Sequence, residues 1–375
     1  MTKIILLDID GVLVHPGGYR TALRATMNHF LNLMGLVSFD IFEENLIELE
    51  KRGISSEWDM IPLLLASILV DILSRHPIQN LPSNLSSAAM EIGKHLTGYK
   101  LSSIEIPLFK LTANQYPAES ALQQGCFLSI PIDLRINLLV ATRNIHLSET
   151  MRLFQHFTLG SEKFAQTYHL PAEIETISLL LAEDKSNIND EIRAKLHQPG
   201  IYLSAFTARP SMPPRDVAAS YLGYAPEAEL ALELVDLPDI PLIAFGKLQY
   251  LASQRGLDPV TLLKPSPAHA LAAIVAAMTG DEWASLQSVG DWYQTGNLKS
   301  ILSKLPHSFE LIVVEDTLGG IRSVQAAGEI LQKAGLDIII HPLGLALRKP
   351  AQSAFVQANV EYYENWDSLT IGIGL

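Results

Sequence analysis

Apolar residues recur along this chain in two rhythms, and the change between them divides it. Near the start, Ile4-Ile-Leu-Leu7 is a continuous apolar run that ends at Asp8-Ile-Asp10-Gly11, the pattern of a strand buried on both faces. Leu23, Met27, Phe30, Leu31 and Met34 then recur at spacings of three and four, marking one face of a helix. Met60 to Leu73 is apolar nearly all round, as in a buried helix, and Arg152 to Tyr168 and Ile174 to Leu181 continue the helical pattern. A Pro- and Ser-rich stretch, Pro77 to Ser87, interrupts it.

From about residue 199 the texture changes to short β-rich runs alternating with helical ones. Ile201 to Phe206, Leu311 to Val314 and Leu336 to His341 read as buried parallel strands, with Pro267 to Met278 and Gly319 to Ala334 as crossover helices. This alternation predicts an α/β fold with a doubly wound, mainly parallel sheet and a ligand crevice at the carboxyl ends of its strands. The stretch between Asp10 and Thr207 far exceeds a crossover helix, so a helical domain spanning 15–198 is expected to be inserted into a core formed by 1–14 and 199–375. Leaving from the crevice edge, it is expected to act as a lid.

The chain is 48% hydrophobic and 18% charged over 375 residues, enough to bury a sizeable core and without the signature of disorder. Its 27 basic and 40 acidic residues give a net charge of −13, which disfavours nonspecific nucleic-acid binding and attraction to anionic membranes. The single cysteine, Cys126, excludes an internal disulfide and a cysteine-based zinc site. No signal-like apolar region precedes the acids and no apolar stretch reaches the about 20 residues a bilayer needs, so a cytoplasmic location is expected.

Four segments carry candidate chemistry. In an extended strand Asp8 and Asp10 would point to the same side, and two acids so close are costly unless a cation bridges them or one holds a proton. The apolar run Tyr202-Leu-Ser-Ala-Phe206 ends in the hydroxyl of Thr207. Lys264 lies just before a predicted helix start, with Ser266 suited to the N-cap and Pro267 to the first helical position. Leu311-Ile-Val-Val314 ends in the acid pair Glu315-Asp316 and a turn carrying Gly319-Gly320. Asp291 competes for this last role, but lacks the preceding apolar strand and the following glycines. Arg209, two residues past Thr207, is a candidate to assist in phosphate binding, but Pro210 also suits it to a turn, and it stands outside the catalytic set.

The order and chemistry of these segments resemble the haloacid dehalogenase-like hydrolase superfamily, most of all the branch with Lys-Pro-x-Pro and Glu-Asp-x-x-x-Gly that includes phosphoglycolate phosphatase and β-phosphoglucomutase. The resemblance implies that Asp8 attacks phosphorus to form an aspartyl-phosphate and that Asp10 protonates the leaving oxygen and then activates water. It also implies that Gly11, Thr207 and Lys264 hold the phosphoryl group beside Asp8. Mg2+ would be held by Asp8, the backbone carbonyl of Asp10, Asp316 and Glu315, the last directly or through water. A carboxylate approaching a phosphate dianion meets a repulsion of about 8 kcal/mol at ~4 Å for an effective dielectric near ~20, which a cation and a lysine remove. The expected activity is hydrolysis of a small phosphorylated metabolite; a phosphomutase, or a non-catalytic binding protein on the same fold, is the alternative.

Overall fold

The computed structural model describes residues 2–36, 42–96, 98–99, 101, 104–112, 115–218, 223–347 and 349–374. They fall into two compact units, Met1–Pro16 with Asp184–Leu375, and Gly17–Glu183.

The first unit is α/β. Its strands are β1 (Lys3–Leu7), β2 (Val14–His15), β3 (Lys185–Ser186), β4 (Ile201–Phe206), β5 (Leu242–Ile243), β6 (Ser308–Glu315), β7 (Asp337–Leu345) and β8 (Glu361–Tyr363). Six of them form one sheet in the order β5-β4-β1-β6-β7-β8, with every neighbouring pair parallel. Strands β2 and β3 form a separate antiparallel pair.

Side-chain alternation along β1 sorts the core into two layers, which is why the run reads as continuously apolar. Ile4 and Leu6 join Phe206, Leu311 and Val313 against the helices Pro267–Thr279 and Leu318–Lys333. Ile5 and Leu7 join Leu203, Ala205, Ile312 and Val314 against Asp190–Leu196, Glu227–Leu234 and Trp366–Gly372. The sheet is therefore Rossmann-like, with helices on both faces. The predicted strands and crossover helices are present; β6 and β7 extend beyond their apolar centres because pairing continues through Glu315↔Gly344.

The second unit contains only helices among its described residues, including Gly18–Leu33, Glu57–Arg75 and Leu85–His95. Leu23, Met27, Phe30 and Leu31 all face its core, together with most of Met60 to Leu73. Two helical expectations are corrected. Arg152 to Tyr168 is broken at Gly160, whose φ of +80° separates Glu149–Leu159 from Ser161–Tyr168. Of Ile174 to Leu181, only the end is helical, in Leu179–Glu183, because the Ser161 hydroxyl and backbone N–H donate to carbonyls of Ile174 and Thr176 that a helix would use internally. The α/β unit resumes at Asp184 rather than 199, since Ile188, Ile192 and Leu196 pack in the β1 core. Helical spacing alone does not say which core a helix serves.

No described helix is long and apolar enough to cross a membrane.

Leu6 is fully buried in the central strand whereas Ile339 of β7 is 49% exposed. Leu6→Ala is expected to cost about 2–5 kcal/mol and Ile339→Ala about 1 kcal/mol or less, read as shifts of the urea midpoint at constant slope.

Candidate functional site

Three parallel strands bring their carboxyl ends together. β1 lies between β4 and β6 in register, Leu7 opposite Ala205 on one side and Val314 on the other. The residues just past the aligned positions are therefore Asp8, Phe206-Thr207 and Glu315-Asp316. Asp8 is buried, and its backbone N–H donates to the Val314 carbonyl at 3.1 Å.

Lys264 reaches this edge from the segment before the helix Pro267–Thr279, which is capped by Ser266 accepting from the Ala268 N–H, with Pro267 in the first turn. Its Nζ lies 2.9 Å from Asp8 Oδ1 and 2.5 Å from Glu315 Oε1, and 3.9 Å from the centre of the Phe206 ring. Burial works against the ammonium, but the carboxylates of Asp8 and Glu315 outweigh it and hold the Lys264 pKa above its ordinary value.

The two consecutive acids have different surroundings. Glu315 is fully buried; one oxygen takes Lys264 and the other accepts from the N–H and hydroxyl of Thr317. Gly319 and Gly320 do not form the expected turn but open the helix Leu318–Lys333. A glycine is required at 320 because a Cβ there would fall inside the Glu315 carboxylate. Asp316 instead lies against Gly11, where a Cβ would meet its Oδ2 at 2.5 Å. Gly11 also has φ +74°, so its place depends on both backbone freedom and the missing side chain.

Oxygens of Asp8, Glu315 and Asp316 lie within 4.8 Å of one another. Burial, followed by Asp8, pushes Glu315 up to about 8; burial, followed by Asp8 and Asp10, pushes Asp316 up to about 7. Three carboxylates gathered this closely form an all-oxygen donor set of the kind that suits a hard divalent cation.

Asp10 departs from the expectation of two acids on one strand face. β1 stops at Leu7, and residues 9–14 form a turn in which the Leu13 and Val14 N–H groups donate to the Ile9 carbonyl and Gly11 N–H to Val14. Asn187 Nδ2 and Trp366 Nε1 each hold the Val12 carbonyl at 2.9 Å. The period-two argument lapses where the strand ends. The Asp10 carboxylate is bound instead by Arg209, the residue that sequence reasoning set aside. Thr207 is buried one strand over, its Oγ1 accepting from the Arg209 N–H at 3.2 Å, which leaves the hydroxyl proton to donate.

His269 was not singled out from the sequence. Its Nε2 lies 2.9 Å from the Ile243 carbonyl, which requires the proton on that nitrogen, and its ring meets Phe206 edge-on. Burial, and then Lys264, lower its pKa to about 3, so it adds no positive charge beside the lysine. Asp291 lies mid-helix in Glu282–Thr295, half exposed and paired with Arg255 at 2.7 Å, and is not among the clustered carboxylates.

The fold and edge cluster define a Rossmann-like α/β protein with an acidic, lysine-bridged site at the strand ends. Comparison of the chain with models of protein families, with curated proteins and with solved structures returned no match.

Glu315 and Asp316 ionise in the unfolded chain near 4.5 and 3.8, but near about 8 and about 7 when folded. Between these values the folded state binds more protons than the unfolded, so stability falls as pH rises through the window and the full penalty stands above it. Melting temperatures measured without divalent cations should decline from about pH 4.5 to about pH 8. The decline should be shallower in Glu315→Gln and in Asp316→Asn; an equal slope in all three proteins would contradict the charge accumulation.

Proposed function

We propose that this chain is a Mg2+-dependent phosphohydrolase of the haloacid dehalogenase-like type, acting on a small phosphorylated metabolite through phosphorylation of Asp8. The observation that carries the reading is the Lys264 ammonium seated between Asp8 and Glu315 at the sheet edge, with Asp316 beside them. Such an arrangement places a cationic partner beside the nucleophile, where an approaching phosphate needs one.

An Asp8 oxygen attacks phosphorus, the bond to the ester oxygen breaks, and that oxygen takes a proton from Asp10. Water then attacks the aspartyl-phosphate, giving its proton to Asp10 and returning the electron pair to Asp8. Lys264 and the Thr207 hydroxyl hold the phosphoryl oxygens, with backbone at Gly11 close by. Asp8, the Asp10 carbonyl and Asp316, with Glu315 directly or through water, would hold Mg2+, which would offset the negative charge of nucleophile and phosphate. The helical unit enters the chain between β2 and β3, a connectivity compatible with the expected lid; its part in choosing substrate belongs to this same reading.

The reading is tested by assaying the purified chain with Mg2+ against a panel of phosphate monoesters. Asp8→Asn should lower turnover by about a thousandfold or more while leaving the circular dichroism spectrum unchanged, because an amide cannot form the acyl-phosphate. Most of the activity surviving in a folded Asp8→Asn protein would refute the nucleophile. A transient aspartyl-phosphate detected by rapid quench would place the chemistry on that side chain.

Chelator should abolish turnover and Mg2+ should restore it. In calorimetric titrations Asp316→Ala should lose most of its Mg2+ affinity, whereas Asp291→Ala should bind as the parent does. The reverse ranking would move the metal site to Asp291.

A further inference from the structure

Arg209 is held from both ends. Its backbone N–H donates to Thr207 Oγ1 at 3.2 Å, and its carbonyl accepts from the Phe245 N–H at 3.1 Å. The side chain is buried, with Nε 2.8 Å from Asp10 Oδ2, one terminal nitrogen 2.5 Å from Asp10 Oδ1, and the same nitrogen 2.8 Å from Asp184 Oδ2. The side chains of Arg209 and Asp184 are 2% and 1% exposed, whereas that of Asp10 is 35% exposed. The clamp is thus sealed in the protein and the group it clamps reaches solvent.

We propose that Arg209, backed by Asp184, is a positioning residue that fixes the plane of the Asp10 carboxylate for proton transfer at the ester oxygen and at the attacking water; this rests on the phosphotransfer reading above. Two parallel N–H···O bonds from a planar guanidinium fix orientation as well as place, which a lysine ammonium does not. Asp10 needs that restraint because it lies in a turn beyond the end of β1, where an isolated bridge to Val14 rather than the sheet holds its backbone. Proton transfer requires its oxygen within about 3 Å of the reacting atom. Asp184 shares the terminal nitrogen that binds Asp10, so the guanidinium keeps a carboxylate partner whatever Asp10 is doing.

In the first step the phosphorus–ester bond breaks as the Asp10 proton goes to the departing oxygen. In the second, water loses its proton to Asp10 as the phosphorus–Asp8 bond breaks. A misplaced Asp10 should therefore matter most when the departing oxygen is basic.

The experiment compares phenyl, para-nitrophenyl and dinitrophenyl phosphate, in order of falling leaving-group basicity, with the full chain and Mg2+. The kcat/KM reports formation of the phospho-enzyme. In Arg209→Lys it should fall about a hundredfold on phenyl phosphate, as for loss of general acid catalysis, and change little on the dinitrophenyl ester. On that last ester kcat should fall with kcat/KM nearly preserved, because hydrolysis of the intermediate still needs the base. Asp184→Asn should show the same order with smaller losses, and it carries the test if Arg209→Lys does not fold. Equal losses on all three esters, or a gain on phenyl phosphate, would overturn the role of Arg209 while leaving the phosphohydrolase reading standing. A wild-type protein that hydrolyses none of them would overturn that reading and this inference with it.

Discussion

The ammonium of Lys264, buried between Asp8 and Glu315, is the contact on which the candidate site depends. A lysine taken out of water is costly, and here the two carboxylates, with the Phe206 ring centre 3.9 Å from the ammonium, offset that cost. The dependence is mutual: removing the lysine would leave carboxylates without their counter-ion in a buried setting, a change that costs about 3–5 kcal/mol when such pairs are broken. The triad therefore ties β1, β6 and the segment entering the helix Pro267–Thr279 into one arrangement. Ser323 adds a neutral tie, its hydroxyl donating to the Ser266 carbonyl at 2.6 Å, so the two crossover helices are joined close to the lysine. His269, kept neutral by burial, supports Phe206 under the ammonium without competing for the acids.

Close approach at the site depends on absent side chains as much as on present ones. Gly320 leaves space for the Glu315 carboxylate, and Gly11 for that of Asp316. These two glycines let consecutive acids serve different partners: Glu315 is occupied by Lys264 and Thr317, while Asp316 faces the turn after β1. The close gathering of carboxylate oxygens that results is the property that makes the cluster a candidate for a hard cation.

Much of the candidate site was legible before the fold. Asp8, Thr207, Lys264 and Glu315-Asp316 each stand at or near the end of a recognisable local element, and local elements follow from short-range pattern. The period-two argument for Asp10 did not apply, because it assumes the strand continues, while the hydrogen bonds of residues 9–14 turn the chain instead. Arg209 was weighed as an aid to phosphate binding and set aside because its neighbourhood, Thr207-Ala-Arg-Pro210, reads equally as a turn. Its partners Asp10 and Asp184 are distant along the chain, so the nearest available signal was a lone arginine two residues past a strand end.

By itself the sequence determined the sheet strands β1, β4, β6 and β7, several of the helices, the parallel α/β class and the residues that end β1, β4 and β6, because apolar period, caps and glycine placement act over a few residues. Only the tertiary structure decided strand order, which sets Asp8 between Thr207 and Glu315, and the pairing of Arg209 with Asp10 and Asp184. It also decided that residues 184–198 serve the β1 core rather than the helical unit. Each of these is a choice among long-range partners, settled by packing and buried charge rather than by local spacing.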